Sequence, residues 1–159
     1  VSAYQLRSER FVDELVRELR QHKLQPARFT VEITESVAME DTRVTRDAFE
    51  RLRQAGVHVS IDDFGTGHSS LASLRQLPAA ELKIDRAFVS DLDSSEDARS
   101  IVSTVIRMAH TLNLRVVAEG VETEAQRDCL VKLGCDELQG YLFAKPAFEQ
   151  LPAIHWPED

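Results

Sequence analysis

Ile61-Asp62-Asp63-Phe64-Gly65-Thr66-Gly67 follows directly on the apolar run Val57-His58-Val59-Ser60. A short run rich in β-branched residues that gives way to a glycine-bearing turn predicts a strand, here Val57 to Ile61. Its C-terminal end carries two adjacent carboxylates, which suggests a divalent-metal site. The plainer reading of Asp-Asp-Phe-Gly alone is a turn with a helix cap.

Working outward from this strand, the chain alternates between two periods. Upstream, Phe11, Val12, Leu15, Val16 and Leu19 recur at helical spacing and predict one amphipathic helix over residues 4–23, stopping before Pro26. A strand from Phe29 to Ile33 follows. Val44, Ala48, Phe49, Leu52 and Ala55 then mark a helix with Asp41 or Thr42 as cap and Gly56 as terminator. Downstream, Ser69 to Leu77 reads as a short helix ended by Pro78, Glu81 to Asp85 as a strand, and Asp91 to Asp97 as a polar stretch. Ile101, Val102, Val105, Ile106, Ala109 and Leu112 define the next helix, which leads into a strand from Arg115 to Ala118. Thr123 with Gln126 has the capping-box pattern for a helix that turns Ala125, Cys129, Leu130 and Leu133 inward and ends at Gly134; a last strand covers Asp136 to Leu138. Strands alternating with helices imply parallel pairing and an α/β class. Barrels and open doubly wound sheets both put their sites at strand C-terminal ends, and pattern alone leaves the choice between them open.

At 159 residues, 43% hydrophobic and 29% charged, the chain fits a single globular domain. No apolar stretch approaches the roughly 18 residues that span a bilayer, and the N-terminal stretch has neither region of a secretory signal. A soluble segment without membrane contact of its own is expected, while a longer protein carrying it could be tethered elsewhere. The net charge of -8 disfavours long nucleic acid and means that a phosphate-bearing ligand needs metal ions or a local basic group to offset repulsion. Cys129 and Cys135 have neither zinc-type nor redox spacing and read as buried thiols of a reducing cytosol. The five histidines show no paired ligand spacing and are taken as structural or exposed.

Glu32 lies within the first strand, Asp62 and Asp63 end the second, Lys83 lies in the third, Glu119 follows the fourth and Gln139 the fifth. In a parallel sheet these positions converge on one rim. Carboxylates gathered there raise one another's pKa unless a cation neutralises them, and oxygen-only ligands favour magnesium, manganese or calcium over zinc. Adjacent aspartates let one carboxylate bridge two ions while its neighbour serves the second, as two-metal phosphodiester hydrolysis requires. Taken singly, Lys83 is a salt-bridge partner, Glu119 a solvated loop residue, and Gln139 uninformative. A Schiff-base role for Lys83 in an aldolase-like barrel is a further reading, disfavoured because a lysine among carboxylates stays protonated.

Five stretches occur in order: Glu32-Ile33-Thr34-Glu35-Ser36, Ile61 to Leu71, Leu82-Lys83-Ile84-Asp85, Ala118-Glu119-Gly120-Val121-Glu122 and Gln139-Gly140-Tyr141. Together they resemble the bacterial EAL-domain family of cyclic di-GMP phosphodiesterases, from Val1 to about Pro146. The resemblance implies a TIM-like (β/α) barrel, a pair of magnesium or manganese ions, and hydrolysis of cyclic di-GMP to linear pGpG in a homodimeric cytoplasmic signalling protein. By the same resemblance Glu32 and Asp62 hold the first metal, Asp62, Asp63 and Glu119 the second, Lys83 and Gln139 contact the catalytic waters, and Glu122 lies beside the substrate. The segment from Asp63, with Gly65 and Gly67, resembles the loop that couples site to dimer interface, and Glu35 the residue that steadies it.

Nothing in the chain matches the family's Glu-Ala-Leu motif, and the asparagine ligand that precedes the opening valine in the family has no counterpart. Residues 1–159 are therefore expected to be the C-terminal portion of a single EAL-type barrel domain with its first strands missing. Such a piece is expected to bind metal weakly, to lack useful catalysis alone, and to aggregate, dimerise or swap through its unpaired edges. His68 stands where the family commonly has tyrosine. The alternative function is a degenerate sensor that binds cyclic di-GMP without hydrolysing it.

Overall fold

The computed structural model describes residues 1–8, 10–40, 42–65, 74–75 and 77–147. Asp41, Thr66, Gly67, His68 and most of the helix expected over Ser69 to Leu77 lie outside them.

Five strands form one parallel sheet in the order β1-β2-β3-β4-β5: Thr30–Thr34, His58–Phe64, Glu81–Ile84, Arg115–Ala118 and Glu137–Leu138. Every neighbouring pair is parallel. Strand order equal to chain order has no point at which the order reverses, and crossovers of one hand, the rule for parallel units, keep the connecting helices on one face. That is the topology of a barrel wall, so the sheet is part of a TIM-like barrel.

The register divides the sheet into two chemically different faces. Val31, Ile33, Val59, Ile61, Leu82, Ile84, Val116 and Ala118 alternate onto one face and are all buried. The other face carries Glu32, Ser60, Asp62, Glu81, Lys83, Arg115 and Glu137, the opposite parity in the same register. Helices cover the apolar face: α4 (Arg43–Gln54) buries Ala48, Phe49 and Leu52, and α6 (Glu96–Thr111) buries Val102, Ile106 and Ala109. The helix α7 (Glu124–Leu133), which packs against α6, contributes Leu130. Short helices α3 (Glu35–Ala38) and α5 (Arg86–Val89), which periodicity does not reveal, sit directly after β1 and β3.

Caps follow the sequence closely. Thr42 accepts the Thr45 amide at the start of α4, and Thr123 and Gln126 form the reciprocal capping box of α7, which ends on Gly134 in the left-handed region. The polar stretch ends earlier than expected, because Ser95 caps α6 and Glu96 already lies inside it. The single N-terminal helix is corrected to two, α1 (Ala3–Leu6) and α2 (Phe11–Gln21). At about 100° per residue, Leu6 on a continuous helix would point roughly 130° away from the stripe of Val12, Leu15, Val16 and Leu19. The break lets Leu6 and Val12 both be buried. Cys129 and Cys135 are free and half-buried rather than buried; burial, the leading cause, pushes the Cys135 thiol up to about 11. Among the described residues no helix is long and apolar enough to cross a membrane.

Candidate active site

The polar face reaches its densest charge near the C-terminal ends of the strands. Lys83, 4% exposed, projects from β3. Its Nζ lies 2.6 Å from Glu32 Oε1, 2.5 Å from Glu119 Oε1 and 3.9 Å from Asp62 Oδ1. Four strands or strand ends thus deliver one cation and three anions to a single point. Burial alone would lower the lysine pKa, but hydrogen bonds to Glu119 and Glu32 and the charges of Glu119 and Asp62 outweigh it, so the value is raised and the ammonium stays charged. A protonated, triply paired amine is no Schiff-base nucleophile.

The backbone of β2 explains how two consecutive aspartates serve one site. In a regular strand Asp62 and Asp63 would face opposite sides. Here Ile61 pairs with Leu82 but Phe64 with Ile84, so β2 holds one extra residue across this interval, and Asp63 has φ +56. Such a bulge re-aims side chains, and a non-glycine residue in the left-handed region is a local cost that neighbouring contacts must offset. The Asp63 amide donates to Asp62 Oδ1 at 3.0 Å. The Asp63 carboxyl is raised above its ordinary range, first by burial and then by the charges of Asp62 and Asp85.

Beyond the bulge, the Gly65 amide donates to Glu35 Oε2 at 2.8 Å, and Glu35 is 3% exposed. The start of the expected loop is therefore tied to the end of β1 by a buried carboxylate; Gly67 lies outside the described residues. Glu122 pairs with Arg86 of α5, Nη2 to Oε1 at 2.8 Å, and its amide is accepted by Gln126 Oε1. Gln139 extends β5 by donating its amide to Ala118 O at 2.9 Å and accepting from Val121 N at 3.0 Å. This close approach needs Gly140, where a Cβ would stand 2.1 Å from Val121 O and 2.3 Å from Val121 N. Arg86, Glu119, Glu122, Gln139, Gly140 and Tyr141 line a cavity of about 220 Å³.

The structure thus gathers Glu32, Asp62, Lys83 and Glu119 at one centre, sets Asp63 beside them, and puts Glu122 and Gln139 on a cavity that shares Glu119. The donors are oxygen only, which suits a hard divalent cation. Among the described residues no three acidic, imidazole or thiol groups are spaced to hold an ion together; Glu32 and Glu119 are each paired with Lys83 Nζ. Sequence reasoning quoted Asp85 but gave it no role; it caps Ala87 N at 2.7 Å and acts on Asp63. Its place two residues after Lys83, just past β3, was the available signal, and Arg86 was missed.

A family model described as EAL domain matches residues 1–146. The chain is 48% identical over 146 residues to the bifunctional diguanylate cyclase/cyclic di-GMP phosphodiesterase MucR of Pseudomonas aeruginosa, covering 92% of this chain and 21% of that protein. It is 40% identical to the signaling protein YkoW of Bacillus subtilis, covering 92% and 18%. The chain therefore spans about a fifth of the length of these relatives. Among solved structures, the PaMucR phosphodiesterase in complex with c-di-GMP superposes with a TM-score of 0.87 at 48% identity, covering 92% of this chain and 59% of that one. Klebsiella pneumoniae BlrP1 with manganese and cy-diGMP gives 0.81 at 34% identity, covering 87% and 36%.

Proposed function

We propose, from the premise that this chain belongs to the EAL domain family, that it supplies most of the active site of a metal-dependent phosphodiesterase that hydrolyses cyclic di-GMP to linear pGpG. The observation that carries this reading is the convergence of Glu32, Asp62 and Glu119, from three separate strands, on Lys83 within 2.5 to 3.9 Å. A site for a small ligand between loops at strand C-terminal ends is the ordinary use of a barrel.

Magnesium or manganese would be held by Glu32, Asp62, Asp63 and Glu119, and when bound would make a water more acidic and draw charge from the phosphoryl oxygens. Lys83 keeps the carboxylates of Glu32 and Glu119 together and adds a fixed positive charge where phosphoryl charge develops. Gln139 orients the attacking water through its amide. Glu122 stands beside the substrate, and Glu35 holds the Gly65 backbone so that Asp63 keeps its conformation. Residues 1–159 then act as the C-terminal portion of one barrel domain. Half-buried free thiols support a cytoplasmic setting, and the edges at β1 and β5 support assembly with further strands or a second copy, a homodimer.

The test is product analysis of the full-length protein with cyclic di-GMP in magnesium or manganese. Glu119→Ala is expected to abolish pGpG formation; undiminished turnover would remove Glu119 from this role. Binding of cyclic di-GMP without any hydrolysis in metal-replete buffer would select the sensor reading instead.

A further inference from the structure

We infer that the groove between α2 and α4 is a docking site for an acidic helix of a partner protein. Val12, Val16 and Ala55 form its floor and Arg17, Arg20 and Arg51 its rim, around a cavity of about 440 Å³. Its α4 side comes from the end of that helix, just ahead of β2, so the groove lies away from the strand ends that carry the Lys83 centre. Three guanidinium groups and one carboxylate, Asp13, give it a positive balance in a chain whose net charge is -8. That net charge repels an acidic partner from the rest of the surface, so a basic groove steers it to one place.

The fold does not use up these charges. Among the described residues Arg20 makes no ion pair, and Arg17 reaches only its chain neighbour Glu18, at 3.6 Å with both side chains more than half exposed. Glu50 of α4 is engaged by Arg53 at 2.6 Å and by Gln54 at 3.0 Å, so it does not neutralise the rim. A cation in the last turn suits the dipole of α2, which accounts for Arg20 but not for three arginines. Arg51 meets Asp13 across the two helices at 2.5 Å, and Asp13 is 76% exposed, so a carboxylate already fits at this guanidinium. Floor and rim together select the partner. An aliphatic side chain gains by covering Val16 and Ala55, which are half-buried, whereas a free phosphate or a flat anionic surface leaves that floor unused. The volume admits a few side chains, one face of a helix rather than a folded domain. Leucines at i and i+4 would lie on the floor while flanking glutamates meet guanidinium forks, which match carboxylate geometry better than lysine does.

The experiment follows the fluorescence anisotropy of a labelled, stapled helical peptide of Leu-Glu-Ala-Glu repeats on the full-length protein, beside a Leu-Lys-Ala-Lys counterpart. The acidic peptide is expected to bind, more weakly as salt rises, and the lysine peptide not to bind. Arg17→Glu combined with Arg20→Glu is expected to weaken the acidic peptide about tenfold or more and to admit the lysine peptide. Both positions are exposed, so the urea unfolding midpoint of this variant should stay that of the wild type, and neither readout depends on turnover. Arg20→Lys, which keeps the charge but not the fork, is expected to cost about threefold. No binding of the acidic peptide, or equal binding by wild type and the double variant, would overturn the inference. So would displacement of the peptide by inorganic phosphate beyond the effect of sodium chloride at equal ionic strength, which assigns the groove to a phosphate-bearing ligand. Binding to phosphatidylglycerol vesicles in preference to the peptide, lost in the double variant, would assign it to a membrane surface instead. Self-association lost in the double variant, with no peptide bound, would assign it to a second copy.

Discussion

The sheet has two charged ends, which share β3 and lie at opposite ends of β4, and they differ in balance. At the C-terminal end one buried ammonium faces Glu32, Asp62 and Glu119, with Asp63 alongside. At the N-terminal end Arg115 bridges Glu137 at 2.5 Å and Glu81 at 3.0 Å on the polar face, and on the helix-covered side His110 of α6 meets Asp136 at 2.8 Å. The first end is overloaded with negative charge around a lysine that solvent barely reaches. The second gives each carboxylate a basic partner, and its Arg115 side chain is 50% exposed. The carboxyls respond in opposite directions: Asp63 is raised, whereas Asp136, despite burial acting upward, is lowered by its bonds from His110 and the Val116 amide. An overloaded end is poised to take up a cation; a balanced end fastens strands. This is the division between the two rims expected of a barrel.

The sharpest way to break the comparison is to remove the central cation from each end. Lys83→Met in the full-length protein is expected to reduce kcat on cyclic di-GMP about a hundredfold or more and to destabilise by about 3 kcal/mol, read from urea unfolding. Turnover should survive the equivalent Arg115→Met change, and an equal loss from both would end the distinction between the rims. Gly140→Ala is expected to cost about 3 kcal/mol in the same unfolding assay, because the added methyl meets Val121 backbone that cannot step aside.

Smaller effects belong to the balanced end. Arg115→Ala is expected to cost about 1 kcal/mol in dilute buffer and much less in concentrated salt, which a salt series of unfolding curves would check. The last test is pH. Because the folded-state pKa of Asp136 is depressed, its contribution is present above the unfolded value, ordinarily 3.8, and is lost as pH falls through the folded value. The stability gap between wild type and Asp136→Asn, about 1 kcal/mol at neutral pH, should close below that range. A gap that widened in acid would contradict the assigned bonds.

Some of this was legible in the residues and some was not. The capped helices around Thr42 and Thr123 and the strand at Arg115 to Ala118 could be read directly, since caps and periodicity are local. The split between α1 and α2 was hidden because only the packed core shows that Leu6 and Val12 must both be buried. Arg86 was passed over because nothing in its own neighbourhood distinguishes it; its meaning comes from Gly120 and Glu122, more than thirty residues away.

By itself the sequence determined the α/β alternation, the placing of acidic residues at strand ends and the family motifs, because each is written in spacing along the chain. Tertiary structure alone decided that the strands run in chain order, that β2 bulges at Asp62 and Asp63, and that Lys83 is the centre on which the carboxylates close. Register, bulges and long-range charge pairing depend on which strands become neighbours, and that is settled only when the apolar faces of separate βα units bury one another.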